Sequence, residues 1–326
     1  MKIGVFSILF NDLSLDDTLD YFSGIGVEAV EIGTGGYSKS NHCDVAELLG
    51  SKQKVEEYKC KFKKRNMFIS ALSTHGNPVH PDKEYAAQHH KEFENTVLIA
   101  EKLGIDTVLL ASGCPGGCPN DQTPNWVSCA WPEDFLRILD YQWNEVLIPY
   151  WKKATAFARE HGVTKLAIEP HPGFNVYNTE TLLRLRNAVG KEIGVNFDPS
   201  HFFWQGIDPV QAIMTFGDSI FHVHAKDTYL NNRNIQINGV LDAKPYSAFI
   251  ERSWIFRTVG YGHPEEIWRN MISALAAIGY DYVLSIEHED CLMTREEGLA
   301  KAMDFLKKVV IRDAVIKKWW EMRAEG

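Results

Sequence analysis

KLAIEPH (Lys165–His171) is a short apolar run that stops on a carboxylate, Glu169, and the same design returns three times further along the chain. GVNFDPSH (Gly194–His201) stops on Asp198, IFHVHAKD (Ile220–Asp227) on His224, and YVLSIEHE (Tyr282–Glu289) on Glu287. Each run is mostly apolar rather than strictly alternating, as expected of a strand buried on both faces. Each ends on a group able to ligate a divalent cation. Four such runs, spaced like consecutive strands, predict a metal site at one rim of a parallel barrel.

Working outward, strand-like and helix-like segments alternate almost without interruption, the pattern of βα units. Strands are expected at Lys2–Ile8, Val27–Ile32, Phe68–Thr74, Thr107–Ala111, Lys165–Glu169, Ile193–Asp198, Ser219–Ala225 and Tyr282–Glu287. Helices are expected at Leu15–Ser23, Lys52–Asn66, Glu84–Leu103, Glu133–His161, Thr179–Val189, Pro209–Phe216, Pro264–Ile278 and Arg295–Val310. Gly104 should close the third of these, and Pro149 should break or kink the fourth. A last helical segment, Arg312–Glu325, carries Trp319 and Trp320.

The reading is therefore α/β, a single (β/α)8 barrel over residues 1–310 with a C-terminal helical extension over 311–326. A doubly wound sheet would want a glycine fingerprint after the first strand, and SILFNDLS has none. Two long inserts, Ser112–Pro132 and Asp227–His263, follow the fourth and seventh strands, on the face where barrel active sites form.

The chain has 326 residues, 45% of them hydrophobic and 12% aromatic, ample for a large core. A formal charge of −9 argues against a nucleic-acid-binding surface. No run is long enough to span a membrane, and the apolar start MKIGVFSILF reads as the first strand rather than a leader. A cytoplasmic location is expected. Cys114, Cys118 and Cys129 lack a fourth close ligand, so reduced, unpaired thiols are expected there rather than zinc.

Two glutamates, an aspartate and one neutral imidazole form a hard O/N donor set carrying three negative charges. A divalent cation is the usual relief for such crowding. The set suits Mn²⁺ or Mg²⁺, with Co²⁺, Fe²⁺ or Zn²⁺ as substitutes. Residues two apart on a strand share a side, which places His171, Asn196 and His222 near the ligands. His171 and His201 are the imidazoles best placed for acid/base work or hydroxyl binding, and His222 reads as a buried layer residue. His75 and Asn77, at the exit of the third strand, read as polar substrate contacts.

The strand ends IEPHPG, FDPSH, HVHAKD and IEHED, with FRTVGYGH before the last, resemble the sugar phosphate isomerase/epimerase family, the xylose isomerase-like barrels. The resemblance covers nearly the whole chain. It implies one Mn²⁺-type ion held by Glu169, Asp198, His224 and Glu287. It also implies proton removal beside a sugar carbonyl through an enediolate-type intermediate, with Glu169 and Glu287 doubling as bases. Dimers or tetramers are usual in that family.

The extra length, the two inserts and the Glu-Pro-His sequence resemble the catalytic α subunits of C-glycoside deglycosidases. Those cleave the C–C bond of 3-keto C-glycosides and work with a small β-sandwich subunit. On that reading His171 is the base, and Trp126, Trp131, Trp204 and Trp254 suit an aryl group or a pyranose face. Arg252, Trp254 and Arg257 are taken as substrate-binding, and Arg233, Arg252 and Arg257 as able to bind phosphate, hydroxyls or a neighbouring chain. The expected function is a metal-dependent sugar isomerase or epimerase, with the C–C lyase as alternative. Phosphoester hydrolysis of the apurinic-endonuclease type ranks below both, because this chain is acidic. The partner expected is a small sugar or keto-glycoside.

Overall fold

The apolar runs become the staves of a closed barrel. The computed structural model describes residues 1–313 and Trp320. The strands are β1 (Lys2–Phe6), β2 (Ala29–Gly33), β3 (Phe68–Ser73), β4 (Thr107–Leu110), β5 (Lys165–Ile168), β6 (Ile193–Phe197), β7 (Ile220–Ala225), β8 (Asp227–Leu230), β9 (Trp254–Arg257) and β10 (Val283–Ile286). Among the described residues, β1 to β7 and β10 pair in parallel, and β10 closes the ring against β1. Helices connect successive barrel strands, giving a (β/α)8 barrel. β8 and β9 form a separate antiparallel ribbon inside the second insert.

Alternate residues of the strands serve two cores. Ile3, Val5, Val30, Ile32, Val108 and Leu166 face outward and pack with helical residues such as Leu19, Phe22, Phe93, Val97 and Trp151. Inside the barrel, Ala71, Leu109 and Ala167 form a small, fully buried apolar cluster. Two residues further along, the same parity delivers Ser73, Ala111 and Glu169 to the rim. Small apolar residues thus form a floor, and the layer above it is polar.

Register sets the height of each ligand. Ile168 pairs with Val195, Phe197 with Val223, and Ala225 with Ile286. Glu169, Asp198 and Glu287 each follow the last residue of their strand by one, and His224 is the penultimate residue of β7. The pairing slips between Val30 and Glu31 and between Val195 and Asn196. Such irregularities re-aim a side chain, and here they adjoin two polar residues of the interior.

The expected helices form within a few residues of their predicted ends. Gly104 closes Lys83–Leu103 in the left-handed region, φ 74°, with its N–H bonded back to Ala100 and Glu101. The segment around Pro149 does not simply break. Asp134–Asp140 is α-helical, Tyr141–Leu147 is wound as a π-helix, and Ile148–Glu160 resumes the α form with Pro149 in its first turn. Proline has no N–H for the preceding turn, and the wider winding accommodates that loss. It also buries Gln142, whose Nε2 donates to the carbonyls of Pro115, Gly116 and Asn125 in the first insert.

The ribbon, the helix Asn232–Asn238 and the helix Pro199–Trp204 had no counterpart in the sequence reading. The expected helix over Arg312–Glu325, with Trp319, lies outside the described residues apart from Arg312, Asp313 and Trp320. Among the described residues no helix is long and apolar enough to cross a membrane. All six cysteines are free.

Candidate metal centre

Glu169, Asp198, His224 and Glu287 converge, and each offers a ligand atom within 4.8 Å of the others'. His224 is fully buried. Its Nε2 lies 3.0 Å from Glu31 Oε2, while Nδ1 lies 3.3 Å from Glu169 Oε2 and 3.2 Å from Glu287 Oε2. Glu31 in turn accepts from Ser73 Oγ (2.6 Å) and Ser285 Oγ (2.8 Å), which fixes its carboxylate. The Nε2–H therefore points at Glu31 and leaves Nδ1 as the nitrogen whose lone pair could ligate an ion held among the carboxylates. A carboxylate behind a histidine in this way sets the tautomer of a metal ligand.

Glu169 accepts from His201 Nε2 (3.1 Å) and Asn196 Nδ2 (2.9 Å), and His75 Nε2 stands 3.3 Å away. Burial opposes its ionisation, yet hydrogen bonds from His201, His224 and His75 hold the carboxyl well below the usual range. Asp198 caps Pro199–Trp204 through Oδ1 (2.9 Å from Ser200 N). Its buried Oδ2 accepts no well-formed hydrogen bond. Beside Oδ2 stand Lys226 Nζ at 3.0 Å and His201 Nε2 at 3.3 Å.

Lys226 also reaches Glu287 Oε2 (2.6 Å) and Glu289 Oε2 (2.9 Å). Burial disfavours its charge, but Asp198, Glu287 and Glu289 more than offset that and raise its pKa well above the usual lysine value. His224 is likewise raised against the cost of burial, by Glu31 and Glu287. Protons and an ammonium thus balance the carboxylates, and a divalent cation would have to displace the His224 proton. Three carboxylates, one correctly turned imidazole and a buried Asp198 oxygen with no well-formed hydrogen bond fit such an ion.

A cavity of about 350 Å³ opens above this cluster. Its polar wall is Ser38, His75, Glu169, His171, His201, Lys226, Glu287, His288 and Glu289, and its apolar wall includes Phe6, Ile8, Leu9 and Phe174. His171 Nδ1 lies 2.6 Å from the Pro172 carbonyl, so that nitrogen carries the hydrogen and Nε2 is a bare acceptor. Burial and the neighbouring His201, with ring centroids 4.1 Å apart, push the His171 pKa down to about 3. Ser38 Oγ lies 2.7 Å from His75 Nδ1. The turn before Ser38 needs Gly36, at φ 59°, since a Cβ there would meet the His75 carbonyl oxygen at 1.8 Å.

Of the residues expected around the ligands, His75, His171 and His201 line the cavity. Asn196 supports Glu169 from below, and His222 is fully buried with Nδ1 3.1 Å from Asn196 Oδ1. Four expected substrate contacts lie elsewhere. Asn77 is buried, donating to Cys114 O (2.8 Å) and accepting from Cys114 N (3.0 Å), so its amide braces the first insert. Arg252 donates to the carbonyls of Trp254 and Lys244 between the rings of Tyr246 and Trp254. Trp254 stacks on Trp204 at 4.6 Å, and Arg257 pairs with Asp290 at 2.9 Å. Arg252, Trp254 and Arg257 line a different groove, on the ribbon. Trp126 packs on Tyr177, and Trp131 is exposed.

Glu31, Ser38, Lys226 and Glu289 were missed. Strand parity carried two signals, since Lys226 lies two beyond His224 and Glu289 two beyond Glu287. Glu31 was visible as a lone charge in the apolar run AVEIG.

Residues 19–309 match the sequence model of the xylose isomerase-like TIM barrel. The chain belongs to this family. The uncharacterized protein YfiH of Bacillus subtilis (strain 168) is 38% identical over 312 residues, covering 95% of this chain and 99% of that protein. Among solved structures, the IolI protein with a bound zinc atom aligns at TM-score 0.65 and 20% identity, over 95% of this chain and 98% of that one. A D-tagatose 3-epimerase-like protein aligns at TM-score 0.60 and 19% identity, over 95% and 98%. At these identities the structural neighbours establish the barrel fold.

Proposed function

We propose that this chain is a divalent-cation-dependent enzyme that moves a proton beside the carbonyl of a sugar, as an isomerase or epimerase. The observation that carries the reading is the convergence of Glu169, Asp198, His224 and Glu287 within 4.8 Å, under a cavity of about 350 Å³. Mn²⁺ is the favoured ion for these donors, with Mg²⁺, Co²⁺, Fe²⁺ or Zn²⁺ also fitting. Held there, it would polarise the carbonyl and so acidify the neighbouring C–H, which a weakly basic carboxylate requires.

Glu169 and Glu287 enter the cavity from β5 and β10 and flank whatever occupies it. His201 and Asn196 keep Glu169 ionised and fixed, and Lys226 does the same for Glu287. These two carboxylates are assigned to take and return the proton at Oε. His171, neutral with a bare Nε2, accepts a substrate hydroxyl more readily than it stores a proton, because its imidazolium is disfavoured. The lyase reading keeps His171 as base. It called for aromatic residues around an aryl group, and Trp126, Trp131, Trp204 and Trp254 all lie off the cavity wall, so proton transfer on a sugar ranks first.

The test uses chelated protein reloaded with Mn²⁺ and incubated with keto sugars in D₂O. Deuterium should enter at the carbon beside the carbonyl only in the reloaded sample, and Glu169→Gln should slow this by about 10²–10⁴-fold. Undiminished turnover after chelation, or product without deuterium, would overturn the reading.

A further inference from the structure

We infer that the site takes an unphosphorylated, uncharged polyhydroxy carbonyl compound; this rests on the proposed function and narrows its substrate. The ionised groups of the cavity wall are mostly acidic. Glu169, Glu287 and Glu289 line it, and Asp198 and Glu31 lie beside them. Ionised carboxylates only accept hydrogen bonds. A polyol supplies the hydroxyl donors they need, whereas a phosphate ester supplies acceptors. Phe6, Ile8, Leu9 and Phe174 leave an apolar wall for the C–H face of a sugar.

Among the described residues, Lys226 is the one lysine or arginine on that wall, and three carboxylates already hold it within 3.0 Å. Five carboxylates set against Lys226 and a divalent ion leave the site net negative. A phosphate group would add nearly two further charges. Of the three arginines expected to meet one, Arg252 is committed to backbone carbonyls and Arg257 to Asp290, and Arg233 is exposed and off the cavity wall.

The loops that bind phosphate in many barrels, after the seventh and eighth strands, contain anion cradles here, and this chain fills them itself. Asp227 Oδ2 accepts from the backbone N–H groups of Gly260 (3.0 Å), Gly262 (3.1 Å) and His263 (3.0 Å), and from Trp268 Nε1 (3.2 Å). Asp290 Oδ2 accepts from Thr258 N (2.8 Å) and Arg257 Nε (2.9 Å). A run of converging backbone N–H groups is a natural phosphate nest; Asp227 fills the one here, and Asp290 takes the neighbouring Thr258 N–H and Arg257. The sequence GYGH, which by composition could cradle a phosphate, instead anchors the second insert.

The test pairs D-fructose with D-fructose 6-phosphate, and D-tagatose with its 6-phosphate, on the Mn²⁺-loaded full chain in D₂O. Deuterium incorporation should favour the free sugar by about tenfold or more in kcat/KM, a gap of about 1.4 kcal/mol. Equal or faster exchange into the ester overturns the inference. A second arm titrates inorganic phosphate into metal-free protein against chloride at equal ionic strength. No rise in Tm is expected, and a rise that Lys226→Met abolishes would overturn the inference. Absence of exchange in every sugar would refute the proton-transfer reading alone, and the phosphate arm still decides this one.

Discussion

Two buried residues that offer no ligand atom to the four-residue cluster set its chemistry. Glu31 decides which nitrogen of His224 faces the carboxylates, because its Oε2 takes the other, while Ser73, donating to Oε1, and Ser285, donating to Oε2, fix the carboxylate. Glu31→Gln keeps the shape but removes the charge behind the imidazole. Mn²⁺ affinity should fall about 10–100-fold, read by calorimetry or by the spectrum of free Mn²⁺. Unchanged affinity would mean that the Glu31–His224 contact serves packing alone. Lys226 is the second such residue, placing a positive charge among Asp198, Glu287 and Glu289.

Among the elements, the first insert is held by buried side chains of its neighbours. Asn77, at the exit of β3, makes a reciprocal pair with the backbone of Cys114, and Gln142 gathers three carbonyls of the same insert. Both are buried, so their loss leaves donors and acceptors without water. Asn77→Ala should destabilise the fold by about 1–3 kcal/mol in urea titrations. It should also expose Ser112–Pro132 to proteolysis before the rest of the chain. Uniform resistance of that insert would show that Gln142 holds it alone. The π-helical turn has a corresponding use, since it is the winding that presents Gln142 inward.

At the scale of the whole molecule, several imidazoles are buried neutral. The pKa of His222 is pushed down to about 4 and that of His171 to about 3, burial being the main cause in both, and His42, His89 and His288 are lowered as well. A depressed imidazole binds its proton more readily in the unfolded chain, so its contribution to stability is complete above about pH 6.5 and is lost as the pH falls toward the folded value. His224, raised, contributes fully below about pH 6.5 and does not alter the slope there. Paired carboxylates begin to matter only below about pH 4.5. Urea midpoints should therefore drop between pH 6.5 and 4.5, and His222→Gln should make that drop shallower. A flat midpoint across the window would contradict this.

The barrel and its rim were legible in the order of the residues. Runs such as KLAIEPH and IFHVHAKD are apolar on both faces, and their spacing leaves room for one helix between each pair. Parity along a strand is local, so Glu169, Asp198, His224 and Glu287 could be placed at strand ends before any contact was known. The same parity pointed to Lys226 and Glu289, which were passed over. Which side chains meet across the ring, and what the inserts do, depends on how the barrel closes. Asn77, Arg252, Trp254 and Arg257 carry the chemistry of substrate contacts, yet their hydrogen bonds close within the inserts and on the ribbon. Glu31 and His224 stand 193 residues apart in sequence and 3.0 Å apart in space. Closing the barrel brings β2 and β7 face to face, and no periodicity along one strand encodes which residue waits on the opposite wall.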